Sequence, residues 1–262
     1  MRSVAYGSHF KTCHIWFEQF SSNEDLKQLK RECIGNDCLI VHANKTPLTG
    51  AKSVKQESLV TDLSVSDNQL LCLMAKTTRT HINRAEREGV EVDYYSNETD
   101  YLEIQKDFSE MYHEMYEQKG LRGRELPIKE LTGYLKANQL LISCASISGK
   151  PVVFHSYVYG EGNSRLLHSC SEFRTEDNET RNAIGRANKY LHWRDFQHLR
   201  TMGVKRYDWG GISSLSEPNG IDKFKMSFGA EPVVYYNISS SLSLRYKLYL
   251  IACSLFHHER GG

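Results

Sequence analysis

Hydrophobic and polar positions along the chain follow two different periods, and together they predict both strands and helices. In the first 64 residues, apolar runs at 14–17 and 38–41 have the character of strands and flank a polar stretch at 22–31 that suits a helix. From Ser66 the apolar residues recur at helical spacing, Ser66 and Gln69 fit a capping box, and Gly89 provides a stop. This part of the pattern predicts one helix from about Asp67 to Glu88.

The rest of the chain predicts a strand meander followed by a long helix. The predicted elements are a strand at 90–95, helices at 99–118 and 127–138, strands at 140–148, 151–159 and 166–170, a helix at 179–202, a strand at 204–208, a short basic helix and a strand at 233–237. Tight glycine connections between the three central strands make them antiparallel. The order β-α-α-β-β-β-α-β-α-β predicts an α/β fold with a mixed sheet.

The composition, 40% hydrophobic and 25% charged over 262 residues, is that of an ordinary globular protein. Thirty-three basic and 32 acidic residues leave a formal charge of +1, so an anion site must come from local clustering. The sequence shows no signal segment and no run of roughly 18 apolar residues, which predicts a cytoplasmic protein without a membrane span. The element order predicts three regions, a short α/β region at 1–64, a basic connecting helix at 65–89 and a larger domain at 90–262.

The cysteines and histidines argue against a metal centre. Seven cysteines are widely spaced and include no C-x-x-C pair, which is typical of reduced, buried thiols. None of the 11 histidines falls in H-E-x-x-H or in a zinc-finger spacing, so no metal site is predicted.

A glycine loop and a basic helix after the strand at 204–208 form the first candidate ligand site. Gly210 and Gly211 let the backbone approach a ligand closely, and Lys223 and Lys225 can place ammonium groups near a phosphate. An ordinary strand-turn-helix connection is the alternative interpretation. We expect these four residues to bind substrate.

Two stretches of sequence resemble the Fem-type peptidoglycan-bridge aminoacyltransferases of the GNAT superfamily. The stretch 76–90, KTTRTHINRAEREGV, resembles their helix motif K-x-x-R-x-x-I-x-x-A-x-x-x-G-V, and DWGGI at 208–212 followed by FKMSFG at 224–229 resembles a second motif. The resemblance covers about residues 60–237 and implies a GNAT-like fold. Residues 1–64 are short for a complete first GNAT domain, which implies a truncated N-terminal half and a smaller substrate.

This resemblance implies that the protein forms an amide on a cell-envelope precursor. Fem-type enzymes move an amino acid from aminoacyl-tRNA to an amine of a lipid-linked or nucleotide-linked muropeptide, and their basic residues lie near the acceptor phosphates. That task would fall here to Lys225 and Arg79.

The acyl donor remains open between acyl-CoA and aminoacyl-tRNA, and no tightly bound cofactor is expected. The coenzyme-A pyrophosphate loop of GNAT enzymes, R/Q-x-x-G-x-G/A, is matched loosely by residues 181–187, which makes Arg181, Gly185 and Arg186 candidates for donor binding. Phe224 stands where many GNAT enzymes have a tyrosine that acts as an acid.

Candidate bases lie on the meander and at the end of the following strand. If Tyr159 opposes Ser164, His155 and His168 become cross-strand neighbours able to accept the amine proton, unless they are hydrogen-bonded core histidines. Asp208 is a second candidate base, or a group that orients an ammonium or a sugar hydroxyl.

Two further segments have alternative interpretations. Trp193, on the long helix with Asn188, Lys189, His192 and Arg194, could stack on an acceptor sugar, or could simply belong to a packed helix. The apolar stretch at 242–256 is either a helix packed on the domain or an interfacial or dimer-forming helix that would bring the enzyme to a lipid-linked acceptor.

The sequence therefore predicts an N-acyltransferase or aminoacyltransferase that acts on an amine of a cell-envelope precursor, either an amino sugar of a surface polysaccharide or a peptidoglycan peptide. A tRNA partner and a peripheral membrane position at the inner face are possible within this hypothesis. The alternative hypothesis is a non-catalytic GNAT-like module that binds a nucleotide sugar or a lipid-linked glycan.

Overall fold

The structure is a computed structural model that describes residues 2–6, 9–172 and 177–258. Its elements are, in chain order, β1 (Arg2–Tyr6), β2 (Lys11–Ile15), α1 (Asn23–Glu32), β3 (Cys38–Asn44), β4 (Lys52–Asp62), α2 (Asp67–Leu73), α3 (Lys76–Arg87), β5 (Glu91–Tyr95), α4 (Glu98–Gln118), α5 (Ile128–Lys136), β6 (Leu140–Ile147), β7 (Lys150–Gly160), β8 (Asn163–Ser171), α6 (Asn178–Thr201), β9 (Arg206–Asp208), α7 (Gly220–Met226), β10 (Glu231–Ser241) and α8 (Leu244–His258).

The chain divides into two compact units, the first of which comprises residues 1–56, 129–137 and 234–262. Its strands lie in the order β1-β2-β3-β10, with β2 and β3 parallel and the other neighbours antiparallel. A small apolar core that includes Ile15, Leu29, Val41 and Ile238 holds this unit together. Because strands from both ends of the chain pair here, the unit differs in extent from the predicted region 1–64, and the predicted three-region division stays a prediction.

The second unit, residues 57–128 and 138–233, contains the predicted meander and long helix. Its strand order is β4-β9-β8-β7-β6-β5; among these described strands only the neighbours β8 and β9 are parallel, and α6 connects them. The mixed α/β class predicted from the sequence is thus confirmed. Helix α6 buries Ile184, Leu191, Phe196 and Leu199 in a large apolar core.

The prediction of a single helix from Asp67 to Glu88 is wrong, because the structure has two helices there, α2 and α3. The predicted start and end of the segment are correct. Met74 adopts an extended conformation (φ −72°, ψ 148°) between α2 and α3, and the Ala75 amide donates to the Ser227 carbonyl at 2.8 Å. A contact with a distant loop therefore interrupts a segment whose apolar spacing is continuous. The Ser66 capping box and the left-handed Gly89 (φ +74°) are both present as predicted.

A β-bulge in β8 overturns the predicted pairing of His155 with His168. Tyr159 does oppose Ser164, but the register shifts at Leu167, so that Ser169 pairs with His155 and Ser156 pairs with His168. Because side chains alternate along a strand, the extra residue turns the two imidazoles toward opposite faces of the sheet.

Helix α8 exposes large apolar side chains. Leu244, Leu248, Tyr249, Leu250 and Ile251 are 46–71% exposed. Across the parts of the chain that the structure describes, no helix is both long enough and apolar enough to cross a bilayer.

Candidate functional site

A cavity of about 630 Å³ lies in the second unit, beside the ends of β8 and β9. The carboxyl ends of neighbouring parallel strands are where open α/β sheets commonly bind ligands. Its walls come from α3, the end of α4, β8, the first half of α6, the loop after β9 and α7. Apolar side chains, among them Tyr116, Leu166, Trp209 and Phe224, form part of this lining.

Basic side chains occupy several positions of the cavity wall. They are His81, Lys119, Arg181, Lys189, His192 and Lys225. No aspartate or glutamate lines the cavity within the described part of the chain. A concave wall of this kind concentrates positive potential and suits an anionic ligand, although the whole chain is nearly neutral.

Burial lowers the pKa of four of these groups, one of which is His192. Desolvation lowers the pKa of Lys225 and of Lys189, and at Lys225 the Asp222 and Asp208 carboxylates oppose the effect. The pKa of His81 falls through burial and then through the nearby positive charge of Lys189. A bound anion would favour the charged forms of these groups, so anion binding is coupled to proton uptake.

The predicted glycine loop forms one edge of the cavity. Gly210 has φ +83°, and a Cβ atom there would lie 2.4 Å from the Leu166 carbonyl oxygen, so only glycine fits this close approach of two backbones. The Gly211 carbonyl oxygen accepts a hydrogen bond of 2.5 Å from Lys225 Nζ. The loop thereby fixes the position of a lysine that the cavity buries.

Asp208, a predicted base, forms hydrogen bonds that fix the position of this loop. Its side chain accepts hydrogen bonds from Ser58 Oγ at 2.6 Å, the Gly210 amide at 2.9 Å and Arg165 Nη1 at 2.9 Å. Asp208 is 5% exposed and Arg165 is 7% exposed. Asp208 is not among the cavity-lining residues, and these three bonds give it a structural role in the loop.

A buried hydrogen-bonded network lies behind the wall of the cavity. Asp195 Oδ2 lies 2.8 Å from His155 Nδ1 and accepts a bond of 2.5 Å from the Tyr157 hydroxyl. The Tyr157 hydroxyl lies 3.0 Å from that of Tyr207, which lies 3.0 Å from His192 Nδ1. His192 also lines the cavity, so the network connects the ligand space with a fully buried carboxylate.

His155, His192 and Asp195 are residue types that bind metals, and one ligand atom from each lies within 4.8 Å of the others. His155 Nδ1 and Asp195 Oδ2 already lie at hydrogen-bond distance, 2.8 Å. A histidine nitrogen that binds a metal gives its lone pair to the ion and carries no proton for a hydrogen bond. The geometry therefore favours a hydrogen-bonded relay.

The remaining predicted site residues are dispersed. His155 is fully buried and contacts the cavity wall through Asn188 at 3.1 Å, whereas His168 lies beside Tyr112 and outside the lining. Trp193 is buried in the core. Lys223 is exposed.

Two predicted arginines make structural contacts. The Arg79 guanidinium donates to the carbonyls of Leu71 and Met74 and so caps the end of α2. Arg186 forms two hydrogen bonds with Glu88, at 2.8 and 2.9 Å.

The proposed pyrophosphate loop at 181–187 is a regular part of α6, which begins at Asn178. Amides inside a helix bond to carbonyls of the preceding turn and cannot cradle a phosphate. At the helix start, the Asp177 carboxylate already accepts from the amides of Glu179 and Thr180. Arg181 and Gly185 do line the cavity, but Arg186 does not.

Sequence reasoning missed the buried half of the site. Gly185, Asn188, His192 and Asp195 recur every three or four residues along α6 and form a stripe of small and polar residues on a helix whose core face is otherwise apolar. This stripe is the feature of the sequence that indicates a polar site on the buried side of α6. The sequence pattern groups Asn188 and His192 with Lys189, Trp193 and Arg194, but Trp193 is buried in the apolar core.

Comparison with solved structures shows the fold. FemX superimposes with a TM-score of 0.63 at 13% identity, over 95% of this chain and 87% of FemX. The C-terminal domain of a protein assigned as a lysylphosphatidylglycerol synthetase, from Agrobacterium fabrum, gives a TM-score of 0.58 at 15% identity, over 96% and 84% of the two chains. L-PGS from Bacillus licheniformis gives 0.50 at 14% identity, over 95% and 88%.

These matches confirm the predicted likeness to the Fem-type fold and extend it over almost the whole chain, beyond the predicted range of 60–237. No protein-family model matches the sequence, and comparison with curated proteins gives no significant relative.

Proposed function

We propose that this protein is a transferase that moves an acyl or aminoacyl group to an amine of a cell-envelope precursor. The observation that carries the proposal is the basic cavity, to which both segments that resemble Fem-type enzymes contribute: the first through His81, and the second through Trp209, Gly210, Phe224 and Lys225. FemX and the lysylphosphatidylglycerol synthetases, which share the fold, support aminoacyl transfer as the reaction class.

The cavity suits a phosphate-bearing substrate with a flat or apolar part. Lys119, Arg181, Lys189 and Lys225 supply positive charge, while the aromatic side chains offer stacking and apolar contact. Transfer from an activated ester to an amine depends mainly on holding the two reactants in contact, which a rigid pocket can accomplish with few catalytic groups.

The donor that we favour is aminoacyl-tRNA. Acyl-CoA binding in the GNAT manner needs free amides at the start of the long helix, and in this chain a carboxylate already occupies them. The terminal nucleotide of a tRNA, with its phosphates and base, matches the basic and aromatic lining. The acceptor is an amino sugar or a peptide amine.

The test is transfer of a labelled group from two donors, a charged tRNA pool and acetyl-CoA, to amino-sugar and muropeptide acceptors. We expect transfer from the charged tRNA. Transfer from acetyl-CoA alone would change the donor, and saturable ligand binding with no transfer to any acceptor would favour a binding module for a nucleotide sugar or a lipid-linked glycan.

Lys225→Met is expected to weaken donor binding about 10- to 100-fold, because a hydrogen bond to a charged group contributes about 1.5–3 kcal/mol. Titration calorimetry of the donor measures the loss. Lys223→Met, on the same short helix but exposed, is the matched control and is expected to bind within about twofold. Equal affinity in the two variants would contradict the proposed site.

The pH dependence of donor binding offers a second readout of Lys225. Burial lowers its pKa from the ordinary 10.5, and the charged form exists below the pKa. Affinity should therefore be full near neutral pH and decline as the pH rises, beginning at a lower pH than an exposed lysine would produce.

For a lipid-linked acceptor we also propose that α8 contacts the membrane surface. Residues 242–256 contain Arg245 and Lys247 but no carboxylate, and the exposed apolar side chains of α8 suit the interface of an anionic bilayer. The double variant Leu248→Ser, Ile251→Ser is expected to bind phosphatidylglycerol vesicles at least about tenfold more weakly in co-sedimentation. Leu121→Ser, which changes an exposed leucine elsewhere, should not alter binding.

A further inference from the structure

In the hydrogen-bonded network behind the cavity, one direction of donation makes every contact between Asp195 and His192 a hydrogen bond. An ionised carboxylate can only accept hydrogen bonds, so Asp195 Oδ2 receives the Tyr157 hydroxyl proton. The Tyr157 oxygen is then left to accept from the Tyr207 hydroxyl, at 3.0 Å. The Tyr207 oxygen in turn accepts from His192 Nδ1, also at 3.0 Å.

This direction fixes the tautomer of His192. With the proton on Nδ1 donated to Tyr207, a neutral imidazole carries its lone pair on Nε2. His192 is the member of the network with a titratable ring in the cavity wall. The chain of hydroxyls therefore presents an unprotonated ring nitrogen at the edge of the ligand space.

We propose that His192 accepts the proton of the attacking amine at Nε2, held in the required tautomer by the buried chain that ends at Asp195. His192 is the catalytic residue, while Tyr207, Tyr157 and Asp195 are positioning residues. This inference rests on the proposed function, since it assigns the base for the same reaction.

One proton moves twice in the proposed reaction. The acceptor, as a neutral amine, attacks the ester carbonyl carbon, and the new C–N bond forms as His192 Nε2 takes one N–H proton. The C–O bond to the donor ribose then breaks, and the imidazolium returns that proton to the leaving oxygen. An amide and a free ribose hydroxyl result, with His192 neutral again.

The charged and titratable groups around His192 keep it neutral before reaction. The His155 ring stacks on it with centroids 4.0 Å apart, and Lys225, on α7, lines the same cavity. Burial, followed by the influence of His155 and Lys225, lowers the pKa of His192 well below its ordinary value of 6.5. The imidazolium formed during the step gains stabilisation through the hydroxyl chain from Asp195.

The first test is ¹⁵N NMR of the histidine rings in the full-length protein, with His192→Gln used to assign the resonance. We expect the Nδ1–H tautomer at neutral pH, and a mixture of tautomers in Tyr207→Phe, which removes the accepting oxygen. An Nε2–H tautomer in the wild-type protein would overturn the proposal whatever the variants do.

The second test is the single-turnover transfer rate. His192→Gln is expected to lower the rate about 100-fold or more while donor affinity stays within twofold, in line with the usual contribution of a general base. The ratio of wild-type to variant rates should be constant at neutral pH and fall only in acid, as the pH drops through the lowered pKa of His192. His113→Gln, an exposed histidine bonded to Glu125, is the control and should retain the wild-type rate.

The outcomes separate the two proposals. A wild-type rate in His192→Gln overturns the assigned base and leaves the transferase function standing. No transfer by the wild-type protein from any donor overturns the proposed function, and the base assignment falls with it even if the Nδ1–H tautomer is observed.

Discussion

Replacing Asp208 with alanine is expected to lower the free energy of unfolding by about 3–5 kcal/mol, the usual effect of breaking a buried ion pair from one side. Arg165, itself 7% exposed, would lose the carboxylate 2.9 Å from its guanidinium. The Gly210 amide and Ser58 would lose an acceptor in the same substitution. Urea unfolding followed by circular dichroism measures the change.

An exposed aspartate provides the control for Asp208→Ala. Asp93→Ala removes an exposed carboxylate from strand β5 and should alter stability by no more than about 0.5 kcal/mol. If Asp208 were instead a dispensable catalytic base, Asp208→Ala would unfold like the wild-type protein while losing activity. That result would contradict the structural role.

Gly210→Ala is the second substitution with a large expected effect. A side chain at φ +83° costs about 1–3 kcal/mol of backbone strain. The added Cβ would also lie 2.4 Å from a backbone oxygen of Leu166, and relieving such crowding adds about 1–3 kcal/mol. We expect a combined loss of about 2–5 kcal/mol in unfolding experiments, together with weaker ligand binding because Leu166 lines the cavity.

Gly149→Ala is a matched control for Gly210→Ala. Gly149 also has a positive φ, +75°, but a Cβ there meets no atom within 4 Å. Its substitution should therefore show the backbone strain alone, about 1–2 kcal/mol. Equal losses at both positions would mean that the loop and β8 can move apart, and that the close approach is not a constraint.

Local patterns were enough to predict most elements of the second unit. The capping box at Ser66, the stop at Gly89 and the turns of the meander depend on neighbours in sequence, and each is present. The break at Met74 could not be predicted in this way, because its cause is a hydrogen bond from Ala75 to Ser227, more than 150 residues away. Local patterns also could not predict the pairing of β10 with β3, because it joins distant parts of the chain.

The site was also predicted only in part, because some of its residues have partners that are distant in the sequence. Gly210, Gly211 and Lys225 come from one short segment; Gly210 and Lys225 line the cavity, and Lys225 donates a hydrogen bond to the Gly211 carbonyl. Charged residues such as Asp208 and Arg186 have the same appearance in a sequence whether they meet a ligand or an opposite charge in the protein. Their partners, Arg165 and Glu88, become visible only in three dimensions.

The bulge at Leu167 makes the length of β8 as important as its composition. Before the bulge, the alternation of faces follows Ser164 and Leu166, and after it the phase is reversed, which allows the adjacent residues Leu166 and Leu167 both to line the cavity. Loss of that one residue would restore a continuous ladder and exchange the inward and outward faces of every later position in the strand. In a lineage of such proteins, a single-codon deletion could therefore replace part of the pocket wall in one step, a larger change than any single point mutation of the same strand would make.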